Sequence, residues 1–520
     1  MSLNLLTWLL AFSPVIVVLV LMLGLRWGGS KAGALAWFAA LLVALFFFGA
    51  GPRLIAYTQA KAILLSLDVL YIVWAALLLY QTAEEAGAVR RIGQALIALT
   101  PDRTMQGILI GWLFVSFIQG FGGFGVPVAV AAPLLVGLGF SPVQSVLMAC
   151  LGHGWAVNFG SLATSFQSLL AVTNLPGELL GPPAAVLMGI SALPGGLMVA
   201  FIAGGWSGLK RTLPVVLVLS LVMAVAQYLI VLAGVWTLGA TGAAIVGLLV
   251  GFALTRLPAY RPAGPLNAPN GSRRSLWVAL SAYAILIVLA FSFNLIPVLS
   301  EAFGGVVLAL KFPALSTSLG WQVAAETGRK ISLFNHPGAI LIYSSILAFL
   351  VYARTGLYKP GALGRIANNT ARSAVNSSLG IVAMVGISVI MSNTGMTNLL
   401  AQGLSQGIGR AFYPAVAPFL GALGAFITGS NNNANVLFGA LQMRTAELLG
   451  LSVPLVLAAQ TAGGSLGSIM APAKVIVGCS TVGLNDNEGA VLRPILVYGL
   501  ILVAIVAVTA LVFSFLGVWA

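Results

Sequence analysis

The chain has 520 residues, of which 60% are hydrophobic and only 7% charged, far below the roughly 25% charge of soluble domains. So much apolar surface cannot be hidden in a water-soluble core, so composition excludes a soluble protein and implies a helical membrane protein. Twenty-four Lys and Arg against ten Asp and Glu leave a formal charge of +14, an excess that in membrane proteins marks cytoplasmic loops and not nucleic-acid binding.

In chain order, the hydropathy pattern predicts a first span at Leu5–Leu25. It lacks a basic leader and a small-residue cleavage site, so it reads as retained and not as a removed signal peptide. Spans follow at Ala34–Ala50 and Ala62–Tyr80. The region Met105–Leu175 is apolar throughout but broken by Gly, Asn and Pro, which predicts short or re-entrant helices. Val186–Gly204, Leu213–Gly234 and Leu238–Leu254 complete a first half, residues 1–255. A Pro- and Arg-rich stretch, Arg256–Ser275, reads as a solvated linker. The second half, residues 276–520, offers Leu276–Ile296, Ile340–Tyr352, Leu379–Met391, a second broken region Pro414–Thr481, and Val491–Val518. The fold expected is an all-α polytopic membrane protein of about 12–14 spans with broken helices. Lys and Arg in the first loops, counted on alternate sides, stand five against two and favour an external N-terminus. Cys150 and Cys479 sit in apolar, Gly-rich segments, which predicts two buried free thiols.

The first broken region contains FIQGFGGFGVPVAV. Gly120, Gly122, Gly123 and Gly125, followed by Pro127, disfavour a continuous helix. Bare N–H groups opening the next helix would suit an anion; close helix packing through glycine is the alternative. The second reads FITGSNNNANVLFGALQ, with Thr428, Ser430, Asn431, Asn432, Asn433 and Asn435 set between apolar flanks too short to span fully. Two half-helices meeting at a polar break fit this better than a surface loop. Phe117–Gly120 (FIQG) and Phe426–Gly429 (FITG) match, and similar spacing to the next Leu-Gly pair suggests an internal duplication.

Further on, Thr461–Ser468 (TAGGSLGS), with Gly463, Gly464 and Ser465, and then Pro472, predicts another break. Its counterpart is Gly152–Ser161, which carries His153 and Asn158. Polar groups at such depth are costly and usually functional. His153 is either a substrate or proton ligand or a neutral ring bonded to a backbone carbonyl. Asp68, inside the third span, is a proton-carrier candidate or a partner of Lys61. His336 reads as interfacial. Glu326, Arg329 and Lys330 read as a solvated loop, and Arg444 and Glu447 as an exposed pair one turn apart. Lys474 is either an anion clamp or a side chain snorkelling to the interface.

At these segments the sequence resembles the L-lactate permease family. The resemblance rests on Ile97–Arg103 (IALTPDR), Phe117–Phe140, Phe426–Gln442 and Ala462–Pro472, with weaker similarity, including Ser392–Gly395, over most of the chain. It implies uptake of a small 2-hydroxymonocarboxylate, lactate or glycolate, coupled to an ion, with paired inverted repeats, re-entrant hairpins and elevator-type movement. The breaks make Gln119, Gly120, Gly122, Gly123, Gly125, His153, Asn158, Thr428, Ser430–Asn433 and Gly463–Ser465 the substrate-site candidates, with Ser392 and Asn393 as further possibilities. Family members carry an acid where Gln119 stands, an Asp where Asn431 stands, an Asn-Thr pair at His153-Gly154 and no acid at Asp68. Either His153 or Asp68 then replaces the usual proton carriers, or another ion is used, or the substrate differs.

The expectation is a secondary active carrier, not an enzyme, in the inner membrane of a bacterium. It needs no cofactor or metal, and its coupling ion is a proton in preference to sodium. Its partners are a small organic anion and the lipid bilayer, with no nucleic acid; monomer and homodimer both stay open. A dicarboxylate or sulfonate carrier, sodium-coupled, is the alternative, and a passive anion channel ranks below it. No Walker-type phosphate loop is present.

Overall fold

A computed structural model describes residues 3–25, 27–97, 99–123, 125–260, 273–484 and 488–519. The central part of the expected linker, residues 261–272, lies outside the described residues.

Helices α1 (Leu5–Leu19), α2 (Gly29–Phe47) and α3 (Pro52–Glu85) are followed by a short α4 (Ala88–Ile97). Next, α5 (Arg103–Ile108), a π-helical turn (Leu109–Phe114) and α6 (Val115–Phe121) form one 19-residue rod, and α7 (Val126–Gly137) runs back beside it. After α8 (Pro142–His153) and α9 (Thr164–Thr173) come α10 (Gly177–Leu232), α11 (Gly239–Leu254), α12 (Arg273–Leu295) and α13 (Pro297–Gly304). The chain closes with α14 (Pro337–Arg354), α15 (Ala362–Asn393), α16 (Met396–Thr428), α17 (Asn431–Leu449), α18 (Val453–Ile469), α19 (Pro472–Thr481) and α20 (Gly489–Phe515).

Among the described residues, eleven stretches are long and apolar enough to cross a bilayer. One of them, α10, has 56 residues and turns at Gly205, whose φ of 62° ends one helix and starts another. At 1.5 Å per residue it is about 84 Å long, enough for two crossings of a ~30 Å core. Counted as two, it brings the apolar segments to twelve. Hydropathy windows underestimated the lengths: Ala62–Tyr80 is the middle of a 34-residue helix, and Leu379–Met391 the end of a 32-residue one. Phe46, Leu221 and Val508 stand out on the surface, where lipid replaces water.

Both broken regions are hairpins of helix. In the first, the Arg103 guanidinium donates to the Gly139 carbonyl (2.8 Å), so the chain enters and leaves at one end. In the second, α16 bends at Gly409 and then runs to Thr428, and Tyr413 donates to Gln442 on the returning α17 (2.8 Å). The flanks are longer than expected, α17 alone having 19 residues. The hairpins enter from opposite ends. The first is tied to the Gly205 end of α10 by an Asp102–Arg211 ion pair (2.7 Å). From that end α10 crosses to the end of α9, towards which α17 also runs.

Two expectations change. Thr461–Ser468 is not a break; it is continuous α-helix in α18. Its glycines are a packing seam, because a Cβ at Gly463 would lie 1.9 Å from the Pro418 carbonyl oxygen and one at Gly467 2.3 Å from that of Ala422. The break comes later, at Met470–Ala471, before Pro472. Second, residues 307–332 are not a solvated loop. Val307–Leu308 pairs with Ile331–Ser332, Lys311–Phe312 with Glu326–Thr327, and Leu315–Ser316 with Gln322–Val323. These nested ladders make one antiparallel β-hairpin that lies along α3.

Candidate functional site

The second break is made by Gly429 and Ser430. Gly429 takes φ 73°, which ends α16, and extended Ser430 opens α17 without a side-chain cap. Thr428 steadies the turn, donating to the Gly424 carbonyl (2.8 Å) and accepting from the Ser430 N–H (3.3 Å). In the first break, extended Gly122 ends α6 and Gly125, at φ 82°, opens α7. A third break, residues 154–163, stitches to it. The Ser161 and Leu162 N–H groups donate to the carbonyls of Gln119 (2.7 Å) and Gly120 (2.9 Å). Ser161, Leu162 and Ala163 hold φ of 47–60° to do so, a strained conformation for side-chain-bearing residues that caps carbonyls α6 would leave bare.

These breaks meet. A cavity of about 450 Å³ is lined by Gln119, Gly123 and Val126 from the first, Ser161, Thr164 and Ser165 from the third, and Thr428 through Asn433 from the second. Its opposite wall is Val73, Ala76 and Leu77 of α3 and Ile381 of α15. Lys474 is the one charged side chain in the lining among the described residues. It is 4% exposed, and its ammonium donates to Ser468 (2.9 Å).

Electrostatically the cavity is a meeting of helix N-termini. The residues opening α7, α9, α17 and α19 are Gly125, Ala163, Ser430 and Ala471, and none supplies a side-chain cap. The first turns of the first three line the cavity, and Lys474 stands in the first turn of the fourth. The positive ends of four helix dipoles therefore gather around one buried ammonium, an arrangement that attracts anions. Beneath it runs a polar network. The Thr461 hydroxyl donates to Asn158 Oδ1 (2.5 Å) and accepts from Asn435 (2.8 Å) and Asn431 (3.2 Å). Asn431 also donates to Ser465 (3.0 Å), and Ser165 donates to Asn432 (2.6 Å). Gln119 Oε1, Asn431 Oδ1 and Asn433 Oδ1 are buried acceptors without a partner among the described residues.

A family model described as L-lactate permease matches residues 7–517. The chain belongs to the L-lactate permease family. The L-lactate permease of Halalkalibacterium halodurans is 27% identical over 86% of this chain and 85% of its own length. The glycolate permease of Escherichia coli K12 is 28% identical over 97% of this chain and 95% of its own. Among solved structures the chain is similar to the YdaH transporter of Alcanivorax borkumensis, with 16% identity, a TM-score of 0.49 and coverage of 90% and 88%. As a family member the protein is a permease and not an enzyme, and it is a multi-pass protein of a bacterial cytoplasmic membrane.

In this permease several sequence candidates lie away from the cavity. Gly120 packs on α11, where a Cβ would lie 2.3 Å from the Thr241 hydroxyl, and Gly122 and Gly125 shape the turn without lining the space. Gly463 and Gly464 are seam residues, and Asn158 and Ser465 hold other polar groups from behind. His153 is fully buried behind the lining; its Nδ1 bonds the Ala149 carbonyl (2.7 Å), and Nε2 has no partner among the described residues. Asp68 is not an unpaired acid. It accepts from Arg329 (2.9 Å) and His336 (3.0 Å), so His336 is a buried partner and not an interfacial residue, while Lys61 pairs with Glu326 (2.5 Å). Ser392 and Asn393 line a second, smaller cleft. Lys474, Ser161, Thr164 and Ser165 join the site instead. Lys474 cannot snorkel, because α19 begins at an interior break; Ser161 closes the break expected at Gly152–Ser161, and Thr164 carried no sequence signal beyond lying near it.

Proposed function

We propose that the chain is an ion-coupled carrier of a small 2-hydroxymonocarboxylate, lactate or glycolate. The observation that carries this is the convergence of four uncapped helix N-termini on the single buried Lys474 ammonium. The carboxylate sits against Lys474 and the amides of Asn431–Asn433, and the 2-hydroxyl donates to Asn433 Oδ1 or Gln119 Oε1, which otherwise lack donors among the described residues. The relatives named above, a lactate permease matching 86% of the chain and a glycolate permease matching 97%, support the same substrates. Transport follows an elevator: the hairpins and α9 move along the wall formed by α3 and α15, in keeping with hairpins that enter from opposite ends. The coupling ion is a proton carried by His153, which lies near Lys474 and has a bare ring nitrogen.

Sodium is the second reading. Three unpartnered buried amide oxygens in one lining are ligands of the type a hard cation takes. Uptake into proteoliposomes, with proton and sodium gradients imposed separately and lactate, glycolate, dicarboxylates and sulfonates compared, separates the two. With lactate or glycolate, Lys474→Met is expected to lower uptake efficiency about hundredfold, the scale of one lost charged hydrogen bond in a dry site. Unimpaired uptake by this variant would remove the proposed site.

A further inference from the structure

We infer that a second cleft is the other port of the substrate path and that Arg329 latches it shut; this rests on reading the central cavity as the anion site. The cleft, about 50 Å³, is lined by Lys61 and Leu65 of α3, Ala171 and Asn174 at the end of α9, Ser388 and Asn393 of α15, Ala440 of α17, and residues 326–329 of the β-hairpin. The same four helices line the central cavity, at Val73, Ser165, Ile381 and Asn433. On each helix the nearest lining residues of the two spaces are six to eight positions apart, about 9–12 Å at 1.5 Å per residue. Four helices agreeing on one displacement make the two spaces successive widenings of a single slot. One wall of that slot is α3 and α15; the other is α9 and α17. Val69, Val436 and Leu437 belong to one apolar cluster that closes the slot between them.

The β-hairpin is strapped to the first wall. Along α3 it meets Tyr57, Lys61, Leu64, Asp68 and Tyr71, one face at a spacing of three and four residues. Phe312 packs edge-on against Tyr57, Glu326 pairs with Lys61 (2.5 Å), and the Leu333 carbonyl accepts from Tyr71 (2.8 Å). At the tip, the Ser318 N–H donates to the Gly49 carbonyl (2.9 Å), and Trp321 covers Gly395. Arg329 reaches both walls. Its Nε donates to Asp68 on α3 (2.9 Å) and its Nη2 to Gln167 Oε1 on α9 (3.4 Å). Asp68 keeps a second partner in His336 (3.0 Å). The strap therefore stays fixed to α3 when the α9 contact is released. The Arg329–Gln167 contact is the latch, and Lys61, Ser392 and Asn393 then face a small anion in transit.

The test is accessibility, read without substrate. With Cys150 and Cys479 replaced by Ala, a single cysteine at Ser392 (S392C) is labelled with a membrane-impermeant maleimide from each side of oriented vesicles. Slow labelling is expected with the latch intact. Gln167→Leu, which leaves the Arg329–Asp68 pair in place, is expected to speed labelling from the strap side about tenfold, as loss of a charged hydrogen bond implies. Arg329→Lys, a second variant that keeps the charge, is expected to do the same to a smaller extent. Equal labelling in parent and both variants, or acceleration from the opposite side only, would overturn the latch. Absence of carboxylate uptake alongside the expected labelling would instead discard the substrate reading.

Discussion

Thr461 on α18 donates to Asn158 Oδ1 across 2.5 Å, joining a helix of the second half to the third break in the first. The same hydroxyl accepts from Asn431 and Asn435, so its one proton and both lone pairs are used. Thr461→Val keeps the shape and takes one hydrogen-bond partner from each of three buried amide groups, Asn158, Asn431 and Asn435. It is expected to cost about 2–4 kcal/mol of stability, seen as a lower melting temperature in detergent, whereas Thr461→Ser is expected to stay close to the parent.

The seam between α16 and α18 makes a sharp contrast between glycines. Gly463→Ala puts a methyl group 1.9 Å from the Pro418 carbonyl oxygen, but nothing lies within 4 Å of a Cβ at Gly364 in α15. Gly463→Ala is expected to abolish monodisperse protein in size-exclusion chromatography. Gly364→Ala is expected to be neutral or to stabilise by ~0.5–1 kcal/mol through helix propensity.

Gln119 lines the cavity, with Oε1 unpartnered. Gln119→Glu is neutral when protonated, like the parent amide, and adds a repelling charge when ionised. Anion uptake by this variant is expected to fall about tenfold or more as pH rises through the titration of the new carboxyl group, and to recover at acid pH. A pH profile parallel to the parent's would show that the anion does not sit near this side chain.

His153 is the proposed proton carrier; Lys474 on α19 lies close to it, and Cys150 sits one turn earlier on its own helix. If it carries the coupling proton, His153→Ala is expected to retain exchange of labelled for unlabelled substrate and to lose uphill uptake driven by a proton gradient. Uphill uptake at the parent rate would assign coupling elsewhere.

The sequence made the membrane class, the two ruptured regions and the polar run at Thr428–Asn433 legible, because each depends on local chemistry: hydropathy, glycine and proline content, and buried amides. It misplaced the break that follows α18. TAGGSLGS has the composition of an interruption, yet its glycines serve a backbone-to-backbone approach between α18 and α16 that only the folded partner reveals. Lys474 was ambiguous for a related reason, since its distance from the interface depends on where α19 starts. The β-hairpin was misread because its pairing is long-range and its polar residues find partners on α3, about 260 residues earlier. In each case the deciding contact lay far off in the chain.

Amide hydrogens at a helix start cannot be mutated away and do not gain or lose protons. A cavity that draws part of its attraction for negative charge from main chain keeps that part while the surrounding side chains drift. Gln119 and Asn431, amides that carry no charge, can then line an anion site whose attraction does not depend on them. Selectivity in this architecture is a thin and replaceable layer over a permanent electrostatic floor.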